Sequence, residues 1–230
     1  MSAGPRRAAF FDVDETLITV KSMMRFLRFH LGAVGAPTST YASTADRLES
    51  LVQSGRPRED ANREYYRSFA GHEVAVVAEH GRRWFDRTRL ELEIFHPPVL
   101  AAFAEHARDG DLTVLVSGSF SACLDPIRDL LRPDLVLCSV PAVSDGRYTG
   151  EIAVPMIGGA KADAARAVIA AHSLDAADCV AYGDHSSDLP FLEVVGRPVV
   201  VGTDPVLGAR ADRMEWLRLP GSATPSPRSA

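Results

Sequence analysis

Asp12 and Asp14 stand two positions apart, directly after the apolar run Ala8-Ala9-Phe10-Phe11. An apolar run without alternation reads as a strand buried on both faces, as at the centre of a parallel sheet. Such sheets bind ligands beyond the carboxyl ends of their strands. The run therefore delivers Asp12 to that edge, and Asp14 with it if the backbone stays extended for two more residues. Two carboxylates at that depth repel each other and need a proton, a lysine or a divalent metal beside them. The plainer alternative is an acidic turn after a strand.

Other polar residues occupy comparable places. Ser117 follows the β-branched and apolar run Leu112 to Val116, and Asp184 and Asp188 follow the run Cys179 to Tyr182. Lys161 lies near the start of an alanine-rich helix that reaches His172. Singly, each has an ordinary role: Ser117 as a helix N-cap, Lys161 as a solvated helix residue, Asp184 in a turn. Taken together, all stand at strand ends or helix starts and can converge on one edge of a sheet. His185 reads as a turn residue without a role.

The elements that must position these residues alternate in a simple way. From Lys21 to His96 there is no convincing strand, and Met23 to Leu31, Tyr41 to Gln53, Pro57 to Phe69 and Val74 to Leu92 read as helices, punctuated by Gly32, Gly35, Gly55 and Gly71. An unstructured insertion of that length is unusual in a compact domain, so residues 20–96 are predicted to form an inserted helical cap. Pro97 and Pro98 open a helix through Arg108, with Gly110 as its stop. Strands follow at Leu112 to Val116, Leu135 to Cys138, Cys179 to Tyr182 and Pro198 to Val201, and Asp145-Gly146 marks a hairpin. Helices are predicted from Phe120 to Leu131, from Leu189 to Val195 and after Asp204. Repeated βα units make residues 1–19 and 97–219 an α/β core with a doubly wound, mainly parallel sheet. Residues 220–230, poor in apolar side chains, are predicted to be a disordered tail.

With 230 residues, 46% of them hydrophobic, the chain can bury a full core. The net charge of −5 argues against a general nucleic-acid binder. Cys123, Cys138 and Cys179 are widely spaced and odd in number, which suits a reducing cytoplasm better than a disulfide framework. No stretch has the length of a membrane span, and Asp12 interrupts the N-terminal apolar run too soon for a signal peptide. These features predict a cytoplasmic protein, monomer or homodimer, with neither nucleic acid nor membrane as partner.

The order of motifs resembles the haloacid dehalogenase superfamily, specifically its phosphoserine-phosphatase-like branch, subfamily IB, in which a helical cap follows the first motif. Asp12-Val13-Asp14-Glu15-Thr16 is similar to the first motif, Ser117 in Val116-Ser117-Gly118-Ser119-Phe120 to the second, Lys161 to the third, and Gly183-Asp184 with Asp188 to the fourth. The resemblance implies a phosphomonoester hydrolase. Asp12 would be the nucleophile that forms an aspartyl-phosphate, and Asp14 the general acid and base, for which its pKa must lie above the usual carboxylate range. Mg2+ would be held by Asp12, the Asp14 backbone carbonyl and Asp184, with Asp188 in support. Ser117, Gly118 and Lys161 would bind the phosphate, and Thr16 would bond locally to aim Asp14.

Two departures bear on the substrate, expected to be a small phosphorylated metabolite such as a sugar or polyol. Glu15 stands where relatives have glycine or a small or amide residue, and is expected to point away from the phosphate. Lys21 stands at or near the place of an acidic residue that binds the amino group of phosphoserine, which argues against phosphoserine itself. The expected specificity surface is Lys21, Ser22 and Arg25, with Met23 and Phe26 better suited to the cap core. A phosphotransferase or mutase with the same intermediate, and a phosphate-ester binding module without turnover, remain as alternatives.

Overall fold

The computed structural model describes residues 5, 7–152 and 154–221. Six parallel strands form one sheet: β1 (Ala8–Asp12), β2 (Leu112–Ser117), β3 (Leu135–Cys138), β6 (Val180–Gly183), β7 (Arg197–Val201) and β8 (Leu217–Leu219), in the order β3-β2-β1-β6-β7-β8. The doubly wound α/β reading therefore holds. The chain first winds one way from β1 to β3, then returns to the other side of β1 for β6. That reversal opens a crevice at the carboxyl ends of β1 and β6, the place where such sheets bind ligands.

All five residues of β1 are buried, and their alternation feeds two separate cores. Ala8 and Phe10 join Val114, Val116, Ala181 and Val200 on one face. Covering that face are α7 (Gly159–Ala171), the short α8 (Leu189–Leu192) and α9 (Pro205–Met214). Ala9 and Phe11 join Leu115, Tyr182 and Val199 on the other face, under α5 (Pro97–Asp109) and α6 (Ser121–Leu131). Gly110 ends α5 at φ 77°, a left-handed stop that glycine takes without strain.

Between β1 and α5 lie four helices, α1 (Ser22–Ala33), α2 (Thr38–Gln53), α3 (Arg58–Arg67) and α4 (Val74–Glu91). The two ends of this insertion are tied side by side by Thr19 N–H to Ile94 O (2.8 Å) and His96 N–H to Leu17 O (3.0 Å). The insertion does not have a core of its own. Phe26, Tyr65, Tyr66, Phe69 and Trp84 run without a break into Phe120, Tyr148 and Phe11 beneath them. His30, fully buried on α1, reaches His80 on α4 (2.9 Å) and His72 (3.0 Å), and burial followed by the neighbouring imidazoles lowers its pKa to about 4.

The hairpin of β4 (Pro141–Ser144) and β5 (Arg147–Ile152) turns at Asp145 (φ 49°) and Gly146 (φ 74°), both left-handed as Asp-Gly implies. Although it lies within the segment assigned to the core, backbone bonds from Gly71 N–H to Tyr148 O and from Tyr148 N–H to His72 O fasten it to the helical insertion.

Two sequence expectations need correction, and a third lies largely outside the described residues. The strand β8 was not foreseen, because three residues are too few to show periodicity and only pairing with β7 makes them a strand. The helix at Leu189 stops at Leu192 rather than Val195, because the chain must turn to lay Gly196 on Ala177, where any Cβ would come within 2.2 Å of a carbonyl oxygen. The expected tail concerns residues 222–230, which lie outside the described residues.

The tightest seam between insertion and core is Gly81 of α4 against α6, where an added methyl would lie 1.8 Å from the Ala122 carbonyl oxygen. Gly81→Ala must push the helices apart and should cost about 3 kcal/mol or more in urea unfolding. Gly32→Ala, with nothing within 4 Å of the new methyl, should be neutral or stabilising by up to about 1 kcal/mol. Equal midpoints for the two variants would contradict this packing.

Candidate active site

Asp12 is the last residue of β1, and the adjoining strands end in Ser117 and Gly183. Lys161, on the first turn of α7, is 5% exposed and spans two carboxylates: its Nζ lies 2.5 Å from Asp12 Oδ1 and 2.7 Å from Asp188 Oδ1. Asp184 completes the group. One carboxylate oxygen from each of Asp12, Asp184 and Asp188 lies within 4.8 Å of the others. Gly183 makes this approach possible, since a Cβ there would sit 3.0 Å from that of Asp188.

The charges do not balance without help. Burial and the neighbouring Asp188 raise the pKa of Asp12, against the pull of Lys161. Burial and the charges of Asp12 and Asp188 push Asp184 up to about 8. Burial would lower Lys161, but Asp12 and Asp188 outweigh it and hold the ammonium above the ordinary lysine range. Three carboxylates facing one ammonium leave excess negative charge, which protons or a further cation must offset. An all-oxygen donor set suits a hard divalent cation, so the residues present fit a metal of that kind.

Asp14 occupies a different environment. Oδ2 accepts from Ser22 N–H at 3.1 Å, while Oδ1 is buried with no partner among the described residues. Burial first, and the charge of Asp12 after it, raise Asp14 to about 7 against the hydrogen bonds from Ser22. The protonated form is therefore well populated near neutrality, as an acid at this position requires.

Thr16 behaves differently from expectation. Its hydroxyl does not serve the turn locally but donates to Asp184 Oδ1 at 2.9 Å, tying the β1 loop to the β6 loop across 168 residues. Glu15 has φ 61°, which explains why glycine suits this position, and its carboxylate pairs with Lys21 at 3.3 Å on the surface. Much of the Lys21 charge is thereby taken up. The expected specificity surface divides: Lys21 and Arg25 are exposed, whereas Ser22 is fully buried, with its amide on Asp14 and its hydroxyl 3.4 Å from that of Ser119. Phe26 is core, stacked on Phe69, and Met23 is half-buried.

At the end of β2, the Ser117 hydroxyl accepts from Ser119 N–H at 3.1 Å and so shapes the loop. The Gly118 carbonyl accepts from Asn62 Nδ2 and from the Tyr66 hydroxyl, each at 3.0 Å. The Ile157 side chain presses on the same glycine, 2.9 Å from where a Cβ would be. Sequence reading missed Asn62 and Tyr66. Their only sequence signal is an asparagine and two tyrosines on the buried face of α3, which says they are inside but not what they touch.

A parallel-sheet enzyme with clustered carboxylates and a lysine at its switch point is the class that fold and site define. A family model of haloacid dehalogenase-like hydrolases matches residues 9–193, and the chain belongs to that family, with phosphatases among its relatives. It is 30% identical to the inhibition of morphological differentiation protein of Streptomyces azureus, over 98% of this chain and 86% of the relative. A Mycobacterium tuberculosis protein named "Probable phosphatase" is 32% identical over 92% of this chain and 74% of its own. Among solved structures, a Bordetella pertussis protein of unknown function superposes with a TM-score of 0.83 at 24% identity, covering 94% of this chain and 98% of that one. A phosphoserine phosphatase, described as a phospho-aspartyl intermediate analogue, gives 0.69 at 18% identity over 94% and 93%. The fold is thus that of the phosphoserine phosphatases. Among the described residues no helix is long and apolar enough to cross a membrane.

The raised pKa of Asp14 carries a stability consequence of definite sign. A carboxyl held at about 7 in the fold, against an ordinary value of 3.8, favours the folded state while protonated. That contribution is complete below the unfolded value and is lost as pH rises through about 7. Asp14→Asn, measured in chelator, should therefore melt several degrees above the wild type at pH 8, and the gain should shrink toward pH 5. A gain independent of pH would mean that Asp14 is not the titrating group.

Proposed function

We propose that the chain is a magnesium-dependent phosphatase of small phosphomonoesters that works through an aspartyl-phosphate on Asp12. The observation that supports this most directly is the contrast between the partners of two neighbouring carboxyls. Asp12 lies 2.5 Å from an ammonium, and Asp14 is buried, half unpartnered and raised to about 7. Burial raises both acids, but only Asp12 has an ammonium beside it to favour its carboxylate form, and that difference suits Asp12 to attack and Asp14 to give a proton.

Asp12 attacks phosphorus, a new P–O bond forms to its carboxylate oxygen, and the P–O bond to the alcohol breaks. Asp14 gives its proton to the leaving alkoxide. Water then attacks the aspartyl-phosphate, Asp14 takes the proton from that water, and the bond to Asp12 breaks to release phosphate, which restores the Asp12 carboxylate and the protonated Asp14. Lys161 offsets charge on Asp12 and on the phosphoryl oxygens, and the Ser117 hydroxyl and Gly118 amide bind those oxygens. Mg2+ held by Asp12, Asp184 and the Asp14 carbonyl, with Asp188 in support, would supply the positive charge that the carboxylate cluster lacks. Arg25 is exposed on the first helix of the insertion, while Lys21 is largely answered by Glu15, and this balance disfavours an ester with a free ammonium such as phosphoserine.

The test is phosphate release from a broad panel of phosphorylated metabolites, with magnesium and with chelator. Release should require magnesium and fall by at least about a thousandfold in Asp12→Asn, while that variant keeps its fold. With the best ester, kcat should decline as pH rises above about 7, because Asp14 loses the proton it must donate. A folded, metal-loaded protein that releases phosphate from no ester would defeat the proposal.

A further inference from the structure

Asn62 on α3 is 4% exposed, and its carboxamide is only half used. Nδ2 donates to the Gly118 carbonyl at 3.0 Å and lies 4.0 Å from Met23 Sδ. Oδ1 is buried and accepts no hydrogen bond among the described residues. The placement of the two atoms follows from the Gly118 oxygen: turned the other way, the amide would set one acceptor against another. A buried amide oxygen left without a donor is costly, and such atoms are rare unless a ligand or water completes them.

The position of Asn62 says which ligand. Gly118 directly follows Ser117, and Met23 directly follows Ser22, whose amide holds Asp14. Asn62 thus stands between the loop at the end of β2 and the helix start whose amide holds the proposed acid. On the phosphatase reading, the alcohol that takes the proton of Asp14 leaves toward the insertion, whose first helix holds Asp14. The neutral amide oxygen accepts from either a hydroxyl or an ammonium. Glu15 answers Lys21, but Arg58, whose charge acts on His185, and exposed Arg25 have no carboxylate partner among the described residues, and these cations favour the hydroxyl.

We infer that Asn62 is a specificity-determining residue of this site, its amide oxygen accepting a hydrogen bond from a hydroxyl on the alcohol part of the phosphomonoester. The substrate class is then a phosphorylated polyol rather than a simple alkyl or amino-alkyl phosphate. This inference rests on the phosphatase reading, and its test separates the two.

The experiment compares kcat/KM for glycerol phosphate, propyl phosphate and ethanolamine phosphate in magnesium. The wild type should prefer glycerol phosphate over propyl phosphate by about tenfold or more, the scale on which an unpaired buried acceptor penalises a ligand lacking the donor. Asn62→Ala should bring that ratio to within about threefold of unity, chiefly by loss on glycerol phosphate. Tyr66→Phe removes the other donor to Gly118 and leaves the amide oxygen in place, so it should lower both esters alike and keep the ratio. If Asn62→Ala does not fold, as judged by its thermal melt, Asn62→Ser carries the same expectation with a small polar group at the seam. Turnover without discrimination in the wild type, or a ratio unchanged in the Asn62 variant, overturns the inference alone. A preference for ethanolamine phosphate that Asn62→Ala removes overturns the choice of hydroxyl. No release from any of the three, nor from the broader panel, removes the phosphatase reading and this inference together.

Discussion

The constraint on which the rest depends is the charge collected at the ends of β1 and β6. Asp12, Asp184 and Asp188 bring three carboxylates together in a largely dry place, and Lys161 answers two of them directly. Burying like charges is unfavourable unless each is paired, so the fold holds the lysine on a helix start with little freedom to leave. The remaining deficit of positive charge suits the site to a hard cation.

The sheet order makes that collection possible. With β1 between β2 and β6, the loops that follow three neighbouring strands open on one crevice, and Thr16 ties two of those loops through Asp184. The helical insertion supplies what the sheet alone does not. Its first helix offers the Ser22 amide to Asp14, its third holds the Gly118 carbonyl, and its aromatic side chains continue the core beneath. Burial is also what lifts Asp14 toward neutrality, against the hydrogen bonds from that first helix.

Much of this was legible in the chain. The parallel core, the four helices between β1 and α5, the Asp-Gly turn and the left-handed stop at Gly110 all follow from local pattern, because hydrophobic period and turn chemistry act over a few residues. Asp12, Ser117, Lys161, Asp184 and Asp188 were visible as polar residues at strand ends and helix starts. Thr16 was misread, since its partner is 168 residues away. Asn62 and Tyr66 went unnoticed, because a buried face on an amphipathic helix reveals that a side chain is inside without saying against what.

The sequence by itself determined the elements, their order and the identity of the groups that carry charge, because propensity and periodicity are written into neighbouring residues. Only the tertiary structure decided the protonation of Asp14, the division of Lys161 between two carboxylates and the two-pronged hold on Gly118. Those properties depend on desolvation and on distances between segments far apart in the chain, and both come into being only when the helical layer closes over the sheet.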